Sequence, residues 1–283
     1  MTGRLAGYVL TRDEEATVER AVGSLRRIAD AVVVIDSGST DRTRELATRA
    51  GARVVVHPFE SFPAQRNWAI EHLARTERPE FIVTLDADEW LTDELVDEVL
   101  SLRRAGCLDA DAYLFHRRVR FDGRELRWGG FAHTWLPRLF RAHGARYEER
   151  AVNEHLVLPA GAKIKRLRGD LVNDDLDSWE DYIAKHNRYS TLEAAARVAV
   201  QCGDQEPTTL RDALRFRYLR RRWLRQHVWD RLPARPALRF LQIYLLAGGV
   251  LDGRAGFRRA LFEAWQEMCT DLKAEALARQ CPT

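Results

Sequence analysis

Between residues 5 and 103 the chain alternates between short apolar, β-branched runs and stretches whose apolar residues recur at helical spacing. Residues 5–10, 31–35, 53–56 and 81–85 read as strands. Residues 14–27, 41–50, 64–74 and 92–103 read as amphipathic helices. A strand that is apolar on both faces needs cover on both, and a helix after each strand supplies it in parallel βαβ units. The expected fold is therefore α/β, with a mostly parallel central sheet flanked by helices.

The pattern changes further along. Residues 112–120 and 135–140 look like strands with Gly129-Gly130 between them, and no helical crossover joins them. That half is expected to be mixed or antiparallel. Residues 181–199, 208–231 and 238–246 have helical spacing, broken at Pro233 and Pro236. The organisation implied is a domain over 1–177, with halves 1–105 and 106–177, and a helical C-terminal extension over 178–283.

Hydrophobic residues make up 46% of the 283 and charged residues 31%, which fits a folded soluble chain. The net charge of +3 excludes a uniformly basic nucleic-acid binder. Arginines crowd residues 211–225, where Phe216, Tyr218 and Trp223 are interleaved with them. An anionic membrane surface, an RNA, or plain solvent are the three things such a helix face can meet. Cys107, Cys202, Cys269 and Cys281 form no CxxC pair, so neither a zinc site nor a disulfide framework is expected, and a reducing cytoplasm is the simplest compartment. No signal-peptide pattern and no transmembrane run are seen.

Ligands of a parallel α/β sheet sit at the carboxyl ends of its strands. Here those ends read Thr11-Arg12-Asp13-Glu14, Asp36-Ser37-Gly38-Ser39-Thr40-Asp41, His57-Pro58 and Asp86-Ala87-Asp88-Glu89. Carboxylates gathered at one edge repel unless a cation or a donor-rich ligand joins them. Asp86 and Asp88, two apart in extended chain, can turn to one side and offer hard oxygen ligands to Mg²⁺ or Mn²⁺. Solvated loop acids are the alternative. Asp36 can accept hydrogen bonds from a base or ribose, or simply form its turn. Asp41 is expected to cap the following helix.

The ordered set Leu10-Thr11-Arg12-Asp13-Glu14, Val32-Val33-Val34-Ile35-Asp36-Ser37-Gly38-Ser39-Thr40-Asp41, Gln65-Arg66-Asn67 and Leu85-Asp86-Ala87-Asp88-Glu89 resembles family 2 glycosyltransferases, inverting enzymes with the GT-A nucleotide-diphospho-sugar transferase fold. Arg138-Leu139-Phe140-Arg141, Val152-Asn153-Glu154, Lys185-His186-Asn187-Arg188-Tyr189-Ser190 and Gly248-Gly249-Val250-Leu251-Asp252-Gly253 narrow the resemblance to the branch with bacterial lipopolysaccharide core β-glucosyltransferases. The resemblance implies that Thr11, Asp13, Glu14, Asp36, Gln65, Arg66, Asn67, Asp86 and Ala87 line the site of a nucleotide-sugar donor, expected to be UDP-linked. It implies that Asp86 and Asp88 hold the divalent metal and that Glu154 is the catalytic base. Asp13 stands where Asn is usual, and Asn153 and Asn173 stand where relatives often carry His.

The acceptor is expected to be a glycolipid or other saccharide, with a peptide, protein or small molecule as the alternative. Trp128, Phe131 and Trp135 can wall a sugar ring or fill core. His133 and His155 have no evident partner. An arginine-rich RNA-binding protein is the rival of another class; the strand-end carboxylates weigh against it, so no nucleic-acid partner is expected. The expected place is the cytoplasm, on the inner face of the membrane where the chain meets one.

Overall fold

The computed structural model describes residues 3–131, 134–148, 155–174, 178–202, 208–209 and 217–279. The chain forms two compact units. One holds Met1–Glu125 and Phe131–Asp177, the other Leu126–Gly130 and Ser178–Thr283.

The first unit is built on one sheet. Its strands are β1 (Leu5–Thr11), β2 (Ala31–Asp36), β3 (Arg53–Val56), β4 (Phe81–Asp86), β5 (Glu89–Leu91), β6 (Ala112–Phe121), β7 (Arg124–Leu126), β8 (Thr134–Arg141) and β11 (Ile164–Asp174). They run in the order β3-β2-β1-β4-β8-β6-β11-β5, with β7 on β6. β3, β2, β1 and β4 are mutually parallel. β8 runs antiparallel between β4 and β6, and β6 is again parallel to β11. A small ribbon pairs β9 (Arg146–Tyr147) with β10 (Leu156–Val157). The mixed second half agrees with the missing crossovers in the sequence.

Alternation along each strand feeds two cores. Leu5, Val9, Val34, Val83 and Leu85 pack on one face with α1 (Val18–Arg26) and α4 (Asp93–Arg104). Tyr8, Ile35, Ile82 and Phe140 pack on the other with α3 (Phe62–Thr76). Each such side chain contributes roughly 1.5–3 kcal/mol by leaving water. α2 (Thr43–Arg49) completes the βα units. α1 starts at Val18 rather than at residue 14, because residues 14–17 close a turn in which Thr17 N–H donates to the Glu14 carbonyl. α3 starts earlier than expected, since the Ser61 hydroxyl accepts from Ala64 N–H at 3.3 Å and Pro63 suits a first helical turn.

β11 is the strand that the sequence hides. Its exposed lysine and arginines mask the alternation. It also carries a register shift between Arg166 and Asp170. There the Glu98 carboxylate accepts from Arg168 N–H at 2.7 Å and Gly169 N–H at 3.0 Å. A Cβ on Gly169 would lie 2.3 Å from Leu95 Cα, so only glycine lets α4 approach this strand so closely.

The second unit is helical: α5 (Trp179–Gln201), α6 (Arg217–His227), α7 (Arg235–Leu241) and α8 (Gly253–Ala278), with a π turn at Gln242–Leu246 and a 3-10 turn at Gly249–Asp252. Thr208 and Thr209 are not helical, residues 210–216 of the helix expected over 208–231 lie outside the described residues, and α6 covers Arg217–His227; Thr208 N–H donates to Gln226 Oε1 at 3.0 Å. Pro236 sits in the first turn of α7, where its missing N–H costs nothing. Between the helices the Arg197 guanidinium meets Asp271 at 2.7 Å and Glu267 and Asp230 at 3.3 Å each; Arg235 also reaches Asp271, at 2.7 Å. Glu263 accepts from Arg259 at 2.6 Å and Arg239 at 2.8 Å. Burial would raise its pKa, but the two arginines outweigh burial and bring it down to about 2. Cys202 is disulfide-bonded, which corrects the expectation of a chain without disulfides, while Cys107 and Cys269 are free thiols.

Candidate active site

The register sets the site. Thr11 lies opposite Asp36 on neighbouring strands, and Leu10 lies opposite Asp86. The three strand ends therefore reach one edge at nearly the same height.

The first two loops are laced together. Asp13 sits at φ 54°, a left-handed conformation that Asp and Asn tolerate. Its Oδ1 accepts from Thr40 N–H at 2.7 Å and Thr40 hydroxyl at 3.1 Å. Its N–H donates to Ser39 Oγ at 2.9 Å, and Glu14 N–H donates to Thr43 Oγ1 at 2.7 Å. Glu15 N–H donates to Asp41 Oδ2 at 3.1 Å, and Asp41 Oδ1 accepts from Thr43 N–H at 2.9 Å. Asp41 thus serves the start of α2, from just before the N-cap residue Arg42.

Asp36 is fully buried. Its carboxylate accepts from Gly38 N–H at 3.1 Å, Ser39 N–H at 3.0 Å, Thr11 hydroxyl at 3.2 Å and, more closely, Ser39 hydroxyl. It shapes its own loop. Gln65 is likewise buried: its amide donates to Ser37 Oγ at 3.1 Å and to the His57 carbonyl at 3.2 Å, and accepts from His57 Nδ1 at 2.8 Å. Asn67 brackets Tyr147 of β9, donating to its carbonyl at 3.0 Å and accepting from its N–H at 2.7 Å.

The centre of the site is the turn from β4 into β5. Arg66 Nη2 donates to Asp86 Oδ1 at 2.7 Å, and Arg138 Nη2 donates to Asp86 Oδ2 at 2.5 Å and to Glu89 Oε1 at 2.6 Å. Glu89 Oε2 accepts from Asp86 N–H at 3.0 Å, closing the turn. Burial would raise Asp86, but Arg138 and Arg66 outweigh burial and hold it far below the usual carboxylate range. Glu89 is pushed up, by burial first and by the charge of Asp86, against the pull of Arg138. Asp88 and Ala87 are both buried. The Asp88 carbonyl accepts from Asp174 N–H at 3.0 Å, which ties the motif to the end of β11. Asn173 pairs in register with Glu89, and the Asp174 carboxylate lies 3.3 Å from Arg120.

Arg138 and Glu89 had no role in the sequence reading. Arg138 stands at a buried place within the apolar run Trp135–Phe140, and Glu89 directly follows the Asp-Ala-Asp step; a charge at each place was the signal to read. Trp135 is half-buried, with the His116 ring centroid 5.1 Å away and Arg166 over its ring at 4.8 Å. His116 Nδ1 meets Asp170 at 2.7 Å, and His155 Nδ1 meets Glu148 at 2.9 Å, a partner that the sequence did not reveal. Glu154, Asn153 and His133 lie outside the described residues.

Among the described residues no three His, Cys, Asp or Glu side chains converge as a ready metal site. Carboxylates such as those of Asp86 and Asp88 are hard oxygen ligands, of the kind that join Mg²⁺ to a nucleotide site together with phosphate and water. Lone pairs remain on Asp86 beyond those that its two guanidinium donors occupy.

A region of the chain matches known proteins. A crystal structure of TarS from S. aureus in complex with UDP-GlcNAc shares the fold, with a TM-score of 0.50 at 13% identity, covering 98% of this chain and 92% of that one. An uncharacterized glycosyltransferase of Rickettsia bellii is 39% identical over 99 residues, 35% of this chain and 32% of that protein, so the match spans about a third of that relative's length. The lipopolysaccharide core biosynthesis glycosyltransferase LpsC of Rhizobium meliloti is 28% identical over 200 residues, 69% of this chain and 72% of that protein. The model of glycosyl transferase family 2 matches residues 8–155, more than half of the chain, and the protein belongs to that family.

Proposed function

We propose that the protein is an inverting, metal-dependent glycosyltransferase that moves a hexose, glucose or a close relative, from a UDP-sugar to a hydroxyl of a lipopolysaccharide core or another glycolipid. The observation that carries this reading is the Asp86–Glu89 turn, standing at the strand edge level with Thr11 and Asp36 and braced by two buried guanidiniums. Similarity to LpsC supports the acceptor class.

In this reading Asp13, Glu14 and the loop shaped by Asp36 and Gln65 form the nucleotide's seat, and Thr11 and Asn67 hold its walls. Asp86 and Asp88 hold Mg²⁺ or Mn²⁺. When bound, the cation offsets negative charge on the departing diphosphate. Arg66, Ala87 and the turn that they flank orient the donor, with Arg66 adding positive charge. Glu154 takes the proton of the attacking hydroxyl. Peripheral contact with an anionic membrane, through the basic segment 211–225, would bring a lipid-linked acceptor within reach. Arg220 is exposed there, whereas Arg225 turns inward to Glu193 at 3.2 Å. The free, exposed thiol of Cys107 favours the cytoplasmic face, and the disulfide at Cys202 weighs the other way.

The test is product formation from UDP-glucose in the presence of Mn²⁺, with a truncated lipopolysaccharide core and, separately, peptide acceptors. Glu154→Gln should lower turnover about a hundredfold to ten-thousandfold with donor binding retained. Turnover near that of the parent would remove Glu154 from the role. Transfer to peptide alone would replace the glycolipid acceptor.

A further inference from the structure

The helical unit carries an apolar patch that nothing in the donor site uses. Leu246 is 84% exposed, Leu251 65%, Leu245 55% and Trp128 48%. Trp128 and Leu251 meet at Gly248, two residues beyond Leu246 in the chain. A Cβ built on Gly248 would lie 3.2 Å from the Trp128 ring and 3.8 Å from Leu251 Cδ1. The patch is rigidly backed: Gly129 N–H donates to the Ala247 carbonyl at 2.9 Å, and the Asp252 carboxylate accepts from Arg127 N–H at 3.1 Å and Trp128 N–H at 2.9 Å.

Charge identifies the partner. Ser178–Thr283 contains eighteen Lys and Arg against twelve Asp and Glu. Many of those acids face inward: Asp230, Glu263, Glu267 and Asp271 are paired with arginines, and Asp252 is turned to the backbone beside the patch. Exposed Arg127 and Arg254 flank the leucines. Projecting leucines, a tryptophan at their rim and arginines beside them match the three layers of an anionic bilayer surface: acyl boundary, interface and headgroup. Two copies of this chain meeting through the patch would instead set arginine against arginine, which repels.

We propose that Trp128, Leu245, Leu246 and Leu251 form an interfacial anchor that seats the helical unit on an anionic phospholipid membrane, with Arg127 and Arg254 on the headgroups. This deepens the glycolipid reading by naming the surface on which the acceptor would be met, and it stands or falls by a separate measurement.

The experiment is flotation of the full chain with vesicles of phosphatidylcholine alone or mixed with phosphatidylglycerol. Binding is expected to the mixed vesicles and to weaken with salt. Leu246→Glu and Leu251→Glu, both at exposed positions, should each reduce binding at least about tenfold with the thermal transition unchanged. Arg254→Gln should reduce it about fivefold, on anionic vesicles only. Leucine variants that float like the parent overturn the anchor. So does light scattering that shows a dimer dissociated by the same leucine variants, which would assign the patch to a second copy. UDP binding, measured in parallel on the parent and on Leu246→Glu, keeps the two ideas apart: a parent that binds no UDP would sink the transferase reading and leave the flotation result standing.

Discussion

Each unit hides a cluster of guanidiniums and carboxylates, and the two clusters are built differently. At the sheet edge, Arg66 and Arg138 balance Asp86 and Glu89, two charges against two. Asp86 keeps 38% of its side chain exposed, so the cluster opens outward. Between the helices, Arg197 and Arg235 face Asp230, Glu267 and Asp271, two against three, and every side chain is 16% exposed or less. A closed network can only hold elements together. An open, balanced one can also receive a ligand, because a half-solvated carboxylate retains acceptor capacity. Buried ion pairs add little net stability compared with apolar packing, but breaking one partner away is costly. The same chemistry therefore gives packing specificity in one unit and, in the other, an edge with acceptor capacity to spare.

That contrast can be broken by experiment. Arg197→Met should have the largest effect on folding. It leaves three carboxylates short of their shared cation, for a loss of about 3–5 kcal/mol. Chemical denaturation should show it in the transition of the helical unit. Asp86→Asn should cost less, about 1.5–3 kcal/mol, the range for hydrogen bonds to a charged group. It should also abolish Mn²⁺-dependent UDP binding in calorimetry. A variant that loses stability but binds UDP and Mn²⁺ as the parent does would make the sheet-edge cluster structural as well.

A related titration sharpens the metal reading. With two carboxylates to offer among the described residues, the parent should bind Mn²⁺ weakly alone and far more tightly once UDP is present. Asp88→Ala should remove that coupling. Equal Mn²⁺ affinity with and without UDP would place the cation elsewhere.

Acid should act on the helical unit through Glu263. Its pKa falls from an unfolded value near 4.5 to about 2 in the folded unit, because the charges of Arg259 and Arg239 outweigh burial. Folding then binds fewer protons at this site, so its contribution is complete above pH 4.5 and is lost as pH falls toward about 2. Glu263→Gln should flatten stability against pH across that window. The smallest effect concerns a cap. Ser178, which accepts from Asp181 N–H at 3.0 Å, should cost about 0.5–2 kcal/mol as Ser178→Ala, read as a lower midpoint for the helical unit alone.

The sequence made some of this legible for plain physical reasons. Asp36 and Asp86 could be placed because each ends a run of buried apolar residues, and the parallel arrangement then carries both to one edge. Gln65 and Asn67 were legible as part of a motif but not in their use. Their side chains bind His57, Ser37 and Tyr147, so they preserve the loops around the site. Arg138 was visible in its motif, yet its pairing with Asp86 crosses 52 residues and depends on β8 taking the place beside β4, which the missing crossovers do not specify. β11 was lost because exposed arginines and a register shift blur a period of two.

Gly169 shows how far such a hidden element reaches. It touches no part of the donor edge, yet its missing side chain sets the gap between β11 and α4. β11 then pairs with β5, and β5 begins at Glu89. A methyl group at this one place would push α4 and β11 apart and shift the frame in which Asp86 and Asp88 stand. In a mutational scan read out by UDP binding, Gly169 would score like a ligand residue, although it works as a spacer of zero thickness.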